Sequence, residues 1–340
     1  MSDLPKSMRA LVLTGPGKTL EVQEMPLPKP GPGQVLVQVA ASPINPSDLA
    51  MLRGEYGLRW PYPLVPGLEG SGQVVADGGG MLARFMRGKR VSLAAEGQGL
   101  WAEYAAVSAK RVVPLLAGTP LGIAACSFVN PLTAIALVGE VRRAGQWAAV
   151  STASGGALGG MIRRRAKEKG VKLINIVRKA EQVETLRAEG ARYVLDETAA
   201  DFDADLAALC KELRCRMAFD AVGGQMTYRL AEALRSESDI LVYGGLAGKA
   251  AALNPGTLIF KQARVRGFWL SKWLSRKTAP EMIWLTRQVA QGLQGGFAET
   301  RIAQVVPLDE ASAAPAAYEQ AMSAGKTLIA PGSFDLGVAT

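Results

Sequence analysis

The sequence predicts an α/β fold in which a β-rich part is followed by a doubly wound parallel sheet, and three observations support this prediction. The chain has 340 residues, which is the length of about two domains. Its first ~120 residues contain short apolar runs between Pro- and Gly-rich turns, without long helices. From about residue 120 onward strands and helices alternate, which is typical of βαβ units and a parallel sheet.

The β-rich part contains several short predicted strands, and their spacing suits a small antiparallel barrel or sandwich. Proline and glycine separate them, most clearly in the run from Pro28 to Gly33. The predicted strands are Arg9–Thr14, Gln34–Ala41, Gly72–Ala76, Lys89–Ala95 and Ala102–Val107.

The alternating part continues through a Pro-containing loop to an apolar strand and an amphipathic helix. Its predicted strands are Gln146–Ser151, Val171–Val177, Arg192–Leu195, Met217–Ala221, Ile240–Tyr243 and Ala263–Leu270. Its predicted helices are Ala157–Lys169, Ala180–Ala188, Phe202–Leu213, Gln225–Arg235 and Ala279–Gln291. The tail is expected to return to the first domain through strands Ile302–Val306 and Lys326–Ala330 and a helix near Asp309–Met322.

Composition and charge favour a globular protein of a reducing compartment. Apolar residues make up 49% and charged residues 20% of the chain, and no apolar run approaches the ~20 residues that span a bilayer. The three cysteines, Cys126, Cys210 and Cys215, are too few for a disulfide framework. The net charge is +9, but the sequence contains no nucleic-acid-binding motif. We predict that the basic run Arg163–Lys169 forms the solvated face of a helix. We therefore expect a cytoplasmic protein that binds neither membrane nor nucleic acid.

The chain contains no histidine, which restricts the chemistry it can perform. A histidine base is excluded, and the commonest transition-metal ligand is missing. Proton transfer must therefore use another side chain or water, and we predict no metal site.

A glycine-rich segment follows the strand Gln146–Ser151 and leads directly into a helix. Its spacing is Ala153-x-x-Gly156-x-x-Gly159, so alanine replaces the first glycine of a dinucleotide fingerprint. Glycine lets the backbone approach a pyrophosphate, and the helix N-terminus presents N–H groups to the anion. This context predicts a Rossmann domain, and the alternative is a glycine-rich turn without a ligand.

Two cations follow the next predicted strand. Arg178 lies 19 residues after Gly159, where an acidic residue would bind the ribose hydroxyls of NAD, and Lys179 follows it. Arginine grips a phosphate through two hydrogen bonds and lysine adds a point charge. The pair predicts the 2′-phosphate of NADPH, and the alternative is two solvated cations at a strand end.

Short motifs along nearly the whole chain point to one family. They are Ile44-Asn45-Pro46-Ser47-Asp48, Arg53-Gly54-Glu55-Tyr56, Val129-Asn130-Pro131-Leu132-Thr133-Ala134, Ile174-Asn175-Ile176-Val177-Arg178, Tyr243-Gly244-Gly245 and Gly267-Phe268-Trp269-Leu270, with the glycine loop. With them the chain resembles the zinc-free medium-chain dehydrogenase/reductase superfamily. More narrowly it is similar to the 2-enoyl thioester reductase branch, the mitochondrial enoyl-acyl-carrier-protein reductase type, beside the quinone oxidoreductases.

The resemblance implies a domain arrangement and an activity. It implies a GroES-like catalytic domain, which we place at residues 1–122 and 275–340, and an inserted Rossmann domain at residues 123–274. It also implies a homodimer that uses NADPH to reduce the C=C bond of a small-molecule enoyl thioester.

The resemblance also assigns roles to individual residues. It makes Tyr56 the catalytic tyrosine and Asn45 a second catalytic residue, and it places Asn45 and Thr133 at the nicotinamide cleft. The residues expected around the cofactor are Asn130, Thr133, Ala153, Gly155, Gly156, Ala157, Leu158, Gly159, Arg178, Lys179, Tyr243, Gly244, Gly245, Leu246, Phe268, Trp269, Leu270 and Lys326. As alternatives, Tyr56 caps a surface loop, Phe268 and Trp269 are aromatics of the sheet core, and Lys326 is a solvated turn lysine.

Some positions depart from related patterns. Leu68 stands where zinc alcohol dehydrogenases have a histidine ligand, which leaves Glu69 as a structural residue. Asp196 and Glu197 occupy the place where quinone reductases often carry Asn-Tyr, which disfavours that class. Acidic side chains at this place also disfavour the binding of a 2′-phosphate nearby.

Three alternatives to the enoyl thioester reductase remain open. The first is an NADPH:quinone or general enone reductase, since a fold does not fix a substrate. The second is a non-catalytic NADPH-binding protein, and the third is a basic nucleic-acid-binding protein.

Overall fold

The computed structural model describes residues 4–57 and 60–338. The chain forms two compact units, which we call unit 1 and unit 2. Unit 1 consists of Met1–Val129, Thr286–Gln294 and Glu299–Thr340, and unit 2 consists of Asn130–Leu285 and Gly295–Ala298. The predicted domain boundaries, 122/123 and 274/275, lie 7 and 11 residues before the divisions at 129/130 and 285/286 (129 − 122 and 285 − 274).

The N-terminal part of unit 1 is built from strands and three short helices. Its strands are β1 (Ser7–Leu13), β2 (Leu20–Pro26), β3 (Gln34–Pro43), β4 (Glu69–Asp77), β5 (Arg90–Ala94), β6 (Tyr104–Ser108) and β7 (Val112–Pro114). Its helices are α1 (Pro46–Leu52), α2 (Met81–Met86) and α3 (Leu121–Ala125). β1 and β2 form an antiparallel pair of their own.

Unit 2 has the alternation that the sequence predicts. Its strands are β8 (Ala148–Ser151), β9 (Lys172–Val177), β10 (Tyr193–Asp196), β11 (Met217–Asp220), β12 (Asp239–Val242) and β13 (Arg264–Gly267). The helices are α4 (Val129–Arg143), α5 (Ala157–Glu168), α6 (Ala180–Ala188), α7 (Phe202–Glu212), α8 (Gly224–Ala233), α9 (Pro255–Phe260), α10 (Leu270–Leu274) and α11 (Ala279–Gly292), of which α4 begins and α11 ends in unit 1.

The tail contributes β14 (Ile302–Pro307), α12 (Ala314–Gln320) and β15 (Lys326–Ala330) to unit 1. β15 pairs with β3, and this places the tail in the larger sheet of unit 1, in the order β14-β15-β3-β4-β5-β7 with β6 on β3. The predicted helix Asp309–Met322 is instead a 3₁₀ turn followed by α12. Pro315 lies in the first turn of α12, because proline has no backbone N–H to donate within a longer helix.

The sheet of unit 2 is parallel, in the order β10-β9-β8-β11-β12-β13, which confirms the doubly wound α/β fold. The predicted strand Ala263–Leu270 is too long at its C-terminal end. β13 ends at Gly267 because its partner β12 ends at the paired residue, Val242, and Leu270 already begins α10.

The basic run on α5 is not the solvated face that we expected. Arg165 is buried, its guanidinium lies 4.8 Å from the ring centroid of Phe297, and it pairs with Glu168 at 2.9 Å. The stem and plane of an arginine pack well on an aromatic ring, and so a cation can cover an apolar surface. Only the end of the run, at Lys167 and Lys169, is exposed.

Within residues 4–57 and 60–338 we find no helix whose length and apolar character would suffice to cross a bilayer.

Candidate active site

The predicted cofactor-binding residues of unit 2 follow the carboxyl ends of its parallel strands. The glycine loop follows β8, Arg178 follows β9, Tyr243 follows β12 and Phe268 follows β13. The carboxyl ends of parallel strands meet at one edge of a sheet, which is where open α/β folds bind their ligands. The structure thus brings these four segments to the same edge of unit 2.

The small residues of the glycine loop differ in backbone conformation and in the space around them. Ala153 has φ 50°, a left-handed conformation that favours the glycine of the fingerprint. A Cβ on Gly159 would lie 2.6 Å from the Cα of Ser154, so loop and helix touch there. A Cβ on Gly156, the N-cap of α5, would meet only the carbonyl oxygen of Ala153, at 3.6 Å. The packing therefore requires Gly159, whereas the open space at Gly156 fits the close approach of a pyrophosphate.

Helix α5 begins directly behind this loop. Ala157 and Leu158 form its first turn and are half-buried. Its first backbone N–H groups have no partner inside the helix, and its dipole is positive at this end. The end of α5 thus has the charge that a diphosphate requires.

Gln182 of α6 connects the glycine loop with the end of β9. A Cβ on Gly155 would lie 2.6 Å from its Nε2, and the backbone N–H of Arg178 donates to its Oε1 at 3.4 Å. Gln182 was not predicted as a site residue, since nothing in its sequence context distinguishes it from other polar residues on a helix.

The side chains of Arg178 and Lys179 reach into solvent beyond β9, with 84% and 64% of their surface exposed. Each has a long ion pair of 3.9 Å, Arg178 with Glu197 and Lys179 with Glu181. Burial raises the pKa of Glu197, and the charge of Arg178 lowers it. Exposed cations with loose partners are suited to bind a phosphate, and the acid beside Arg178 competes for it.

The two later segments lie close to the backbone of neighbouring strands. A Cβ on Gly244 would lie 2.7 Å from the carbonyl oxygen of Ala221, which also accepts the N–H of Leu246. Gly245 has open space around it. Burial raises the pKa of the Tyr243 hydroxyl, and Asp220 adds to this effect.

Phe268 and Trp269 lie beyond the end of β13. The backbone N–H of Phe268 donates to the carbonyl of Val242 at 2.7 Å, and Leu270 starts the next helix. Trp269 is 42% exposed, so its alternative interpretation as an aromatic of the sheet core is wrong.

Asp220, at the end of β11, is a buried site residue that sequence reasoning missed. Its Oδ1 accepts the N–H groups of Val222 and Gly223, and its Oδ2 accepts the hydroxyl of Thr227 at 2.7 Å. An acid at the end of a strand, three residues before the pair Gly223-Gly224, could have identified it. Its carboxylate orders the turn from β11 into α8, at the same edge as the other segments.

Asn130 and Thr133 are buried in the first two turns of α4. This helix was not predicted, because ten of its fifteen residues are buried and its apolar side chains show no amphipathic period.

Tyr56 lies in the loop after α1, where its ring packs against the apolar core of unit 1. It is partly buried. Its catalytic role stays a prediction.

A buried polar network occupies unit 1 near the start of β15. The ammonium group of Lys326 donates to Asn45 Oδ1 and to the carbonyl of Ile44, at 3.3 Å for the latter. Asn45 Nδ2 donates to Glu69 Oε1 at 3.0 Å. Lys326 and Asn45 are each 1% exposed and Glu69 is fully buried. The alternative interpretation of Lys326 as a solvated turn lysine is therefore wrong, and its contact with a cofactor stays a prediction.

Burial changes the acidity of these groups. It raises the pKa of Glu69 and raises the pKa of the Cys126 thiol to about 12, while Lys326 lowers both. A thiol with so high a pKa is protonated at neutral pH, and Cys126 is therefore expected to be unreactive.

Asp48 joins the network through the backbone. Its carboxylate accepts the N–H of Asn45 at 2.8 Å and that of Leu68 at 3.0 Å. Burial raises the pKa of Asp48 to about 7, against the opposing effects of the Asn45 N–H and Lys326.

We expect this pKa to make the stability of the protein fall as the pH rises from about 4 to about 7. In this range the unfolded carboxyl has lost its proton, while the folded one retains it, so that folding binds a proton. The slope is at most about 1.4 kcal/mol per pH unit, and it vanishes above the folded pKa. Thermal unfolding of the parent and of Asp48→Asn across this range measures it, because the variant has no proton to lose. The same pH dependence in both proteins would contradict the assignment.

Leu68 has an apolar side chain that cannot bind a metal ion, and the carboxylate of the neighbouring Glu69 is fully engaged. Glu69 Oε2 accepts the N–H groups of Phe128 and Val129 at 3.0 and 2.8 Å, in addition to the bond from Asn45. In the described part of the chain, no three His, Cys, Asp or Glu side chains are grouped to hold a metal ion.

Comparison with known proteins places this architecture. Residues 31–117 match the family of the alcohol dehydrogenase GroES-like domain, and residues 157–287 match the zinc-binding dehydrogenase family. The mitochondrial enoyl-acyl-carrier-protein reductase of Bos taurus is 30% identical over 334 residues, which cover 96% of this chain and 89% of the bovine protein. The corresponding Mus musculus enzyme is 30% identical over 329 residues, covering 94% and 86% of the two chains.

A solved structure is also similar over the full length. It is a Mesorhizobium loti protein described as a candidate NADPH:quinone reductase. It is 35% identical, with a TM-score of 0.89, and the match covers 97% of this chain and 100% of that one.

Proposed function

The chain belongs to the medium-chain dehydrogenase/reductase superfamily, in the branch of the mitochondrial-type enoyl-acyl-carrier-protein reductases and the quinone oxidoreductases, and is an oxidoreductase. From this premise we propose that it uses NADPH, without zinc, to reduce the C=C bond of a 2-enoyl thioester. The observation that carries the proposal is the likeness to enoyl-acyl-carrier-protein reductases along 96% of the chain. The Tyr56 segment and the Phe268–Leu270 segment support it.

Residues at one edge of the unit 2 sheet would hold the dinucleotide. The open backbone at Gly156 and Gly245 leaves space for it, and the N-terminus of α5 would bind the pyrophosphate. Arg178 and Lys179 would bind the 2′-phosphate, which fits their exposure. When bound, NADPH supplies a hydride to the β-carbon of the substrate.

The protein has to stabilise the charge that develops on the thioester carbonyl during this reduction. We assign this task to the hydroxyl of Tyr56, which donates a hydrogen bond to the oxygen or a proton toward the α-carbon. A phenol suits the role in a chain without histidine.

We further expect a small-molecule substrate and no nucleic-acid partner. A homodimer would form through β13, the edge strand of the unit 2 sheet. The three cysteines are buried and unpaired, which suits the cytoplasm.

A panel of acceptors tests the proposal. NADPH oxidation is followed with crotonyl-CoA, a naphthoquinone and a simple enone, and each assay is repeated with NADH. The proposal predicts fast, NADPH-dependent turnover of crotonyl-CoA. Failure with crotonyl-CoA together with turnover of the quinone would overturn it.

The second candidate is an NADPH:quinone reductase, which the Mesorhizobium loti structure favours by its identity of 35%. The acids at Asp196 and Glu197 disfavour it, because quinone reductases often carry Asn-Tyr there. The same acceptor panel separates the two activities.

Arg178→Ala is expected to raise the KM for NADPH by about 10- to 100-fold, because a hydrogen bond to a charged group contributes about 1.5–3 kcal/mol. The KM for NADH should stay within about twofold, since NADH lacks the phosphate. Steady-state kinetics with both cofactors measure the shift. Arg187→Ala is the matched control, because Arg187 is an exposed arginine of α6 with an ion pair of its own. Equal effects on NADPH and NADH would contradict the assignment.

A further inference from the structure

Four elements are joined by one chain of buried hydrogen bonds at residues where they begin, and all of the joined residues lie in unit 1. Asn45 is the N-cap of α1, Glu69 begins β4 and Lys326 begins β15. Val129 begins α4, and its N–H donates to Glu69 Oε2. The bonds run from the ammonium group of Lys326 through the amide of Asn45 to the carboxylate of Glu69, and from there to the backbone of α4.

The network buries two ionisable side chains, Lys326 and Glu69. Removing a lysine and a glutamate from water is unfavourable, and buried ion pairs can often be replaced by apolar side chains without loss of stability. Here the two charges do not touch directly: Asn45 lies between them, with its oxygen toward the cation and its nitrogen toward the anion. The arrangement therefore fixes the orientation of the amide and of the carboxylate.

The carboxylate of Glu69 binds the backbone at the N-terminus of α4. Its Oε2 accepts the N–H groups of two successive residues, Phe128 and Val129. At a helix N-terminus the first backbone N–H groups are available to an acceptor outside the helix, and the helix dipole favours a negative charge there. Asn130 and Thr133 follow within the first two turns of α4, so the backbone that carries them starts from this carboxylate.

We propose that Lys326, Asn45 and Glu69 are positioning residues that together fix the first turn of α4, and with it Asn130 and Thr133, for binding of the cofactor. The inference rests on the proposed use of NADPH. Asn45 and Lys326 then act on the cofactor indirectly, instead of through the direct contact that the resemblance implies. Both ends of the Asn45 amide are occupied inside the network, so Asn45 acts through Glu69 rather than on the reacting atoms.

Hydrogen–deuterium exchange and NADPH affinity test the proposal on Lys326→Met, Glu69→Gln and the double variant. Glutamine has a single acceptor oxygen, so Glu69→Gln cannot serve both Asn45 and the α4 backbone. We expect faster exchange in the peptide that contains residues 128–133 and about tenfold weaker NADPH binding in each single variant. In the double variant, the fold-loss of NADPH affinity should be smaller than the product of the fold-losses in the two single variants, because the residues act as one unit.

Ser71→Ala is the matched control, since the Ser71 hydroxyl donates a buried hydrogen bond to the carbonyl of Leu121 in the same unit, outside the network. It is expected to lower the melting temperature without a change in exchange at residues 128–133 or in NADPH affinity. Faster exchange with unchanged NADPH affinity would overturn the proposal, as would a network variant that behaves like the control. If the parent binds NADPH but reduces no enoyl thioester, only the proposed substrate is wrong. The NADPH affinities of the variants then still test the positioning role of Lys326, Asn45 and Glu69. A parent that does not bind NADPH would overturn both.

Discussion

Replacing Gly159 by alanine is expected to destabilise unit 2 and to abolish measurable NADPH binding. The added Cβ would lie 2.6 Å from the Cα and the carbonyl oxygen of Ser154, and so the glycine loop and α5 must move apart. Forcing a methyl group into such a contact costs about 1–3 kcal/mol, which exceeds the gain of up to ~1 kcal/mol from alanine in a helix. Thermal unfolding and a binding titration with NADPH measure the two effects.

Gly156→Ala is the informative counterpart, because its Cβ would meet no protein atom closer than 3.6 Å. Its backbone is extended, with φ −83°, a conformation that alanine adopts freely. Its melting temperature should therefore stay near that of the parent, while NADPH binding weakens about tenfold or more as the methyl group occupies the space of the pyrophosphate. Unchanged NADPH affinity in Gly156→Ala would show that the phosphate does not lie at this loop.

Tyr56→Phe is expected to lower kcat by about 10²- to 10³-fold with crotonyl-CoA, within the range typical of general acid catalysis. The affinity for NADPH should stay within about twofold, since the hydroxyl is assigned to the substrate carbonyl and not to the cofactor. Single-turnover kinetics and a binding titration separate the two quantities.

Tyr62→Phe is the matched control for this variant. Tyr62 lies six residues further along the sequence and is 38% exposed. Its hydroxyl has no role in the proposed reaction, so its kcat should equal that of the parent. A Tyr56→Phe variant as active as Tyr62→Phe would remove Tyr56 from the mechanism.

Much of the fold was predictable where the apolar pattern has a clear period. Helix α6 has the predicted bounds, Ala180–Ala188, and the strands of unit 2 lie within a few residues of their predictions. Helix α4 was missed because it is buried on most sides, so that it lacks the polar face from which a helical period is recognised. The strand Ala263–Leu270 was predicted too long because its apolar residues continue past Gly267. Its actual end is set by the end of the neighbouring strand β12, which the sequence around Gly267 does not reveal.

The candidate site was predictable in unit 2, where strand ends and glycines mark it. The glycine loop and the cations after β9 lie at one edge of the sheet because each follows a parallel strand. In unit 1 the motifs identified Asn45 and Lys326, but not how they are connected. That connection requires β15 to pair with β3, a contact between residues ~280 positions apart in the chain, which no local pattern encodes.

The most direct test of the central claim is the fate of the transferred hydride. The protein is incubated with crotonyl-CoA and NADPH that carries deuterium on the transferable position of C4, and the product is analysed by mass spectrometry. We predict butyryl-CoA with one deuterium at the β-carbon. Oxidation of NADPH without deuterated butyryl-CoA, or deuterium at another carbon, would contradict reduction of the enoyl thioester by hydride transfer to the β-carbon.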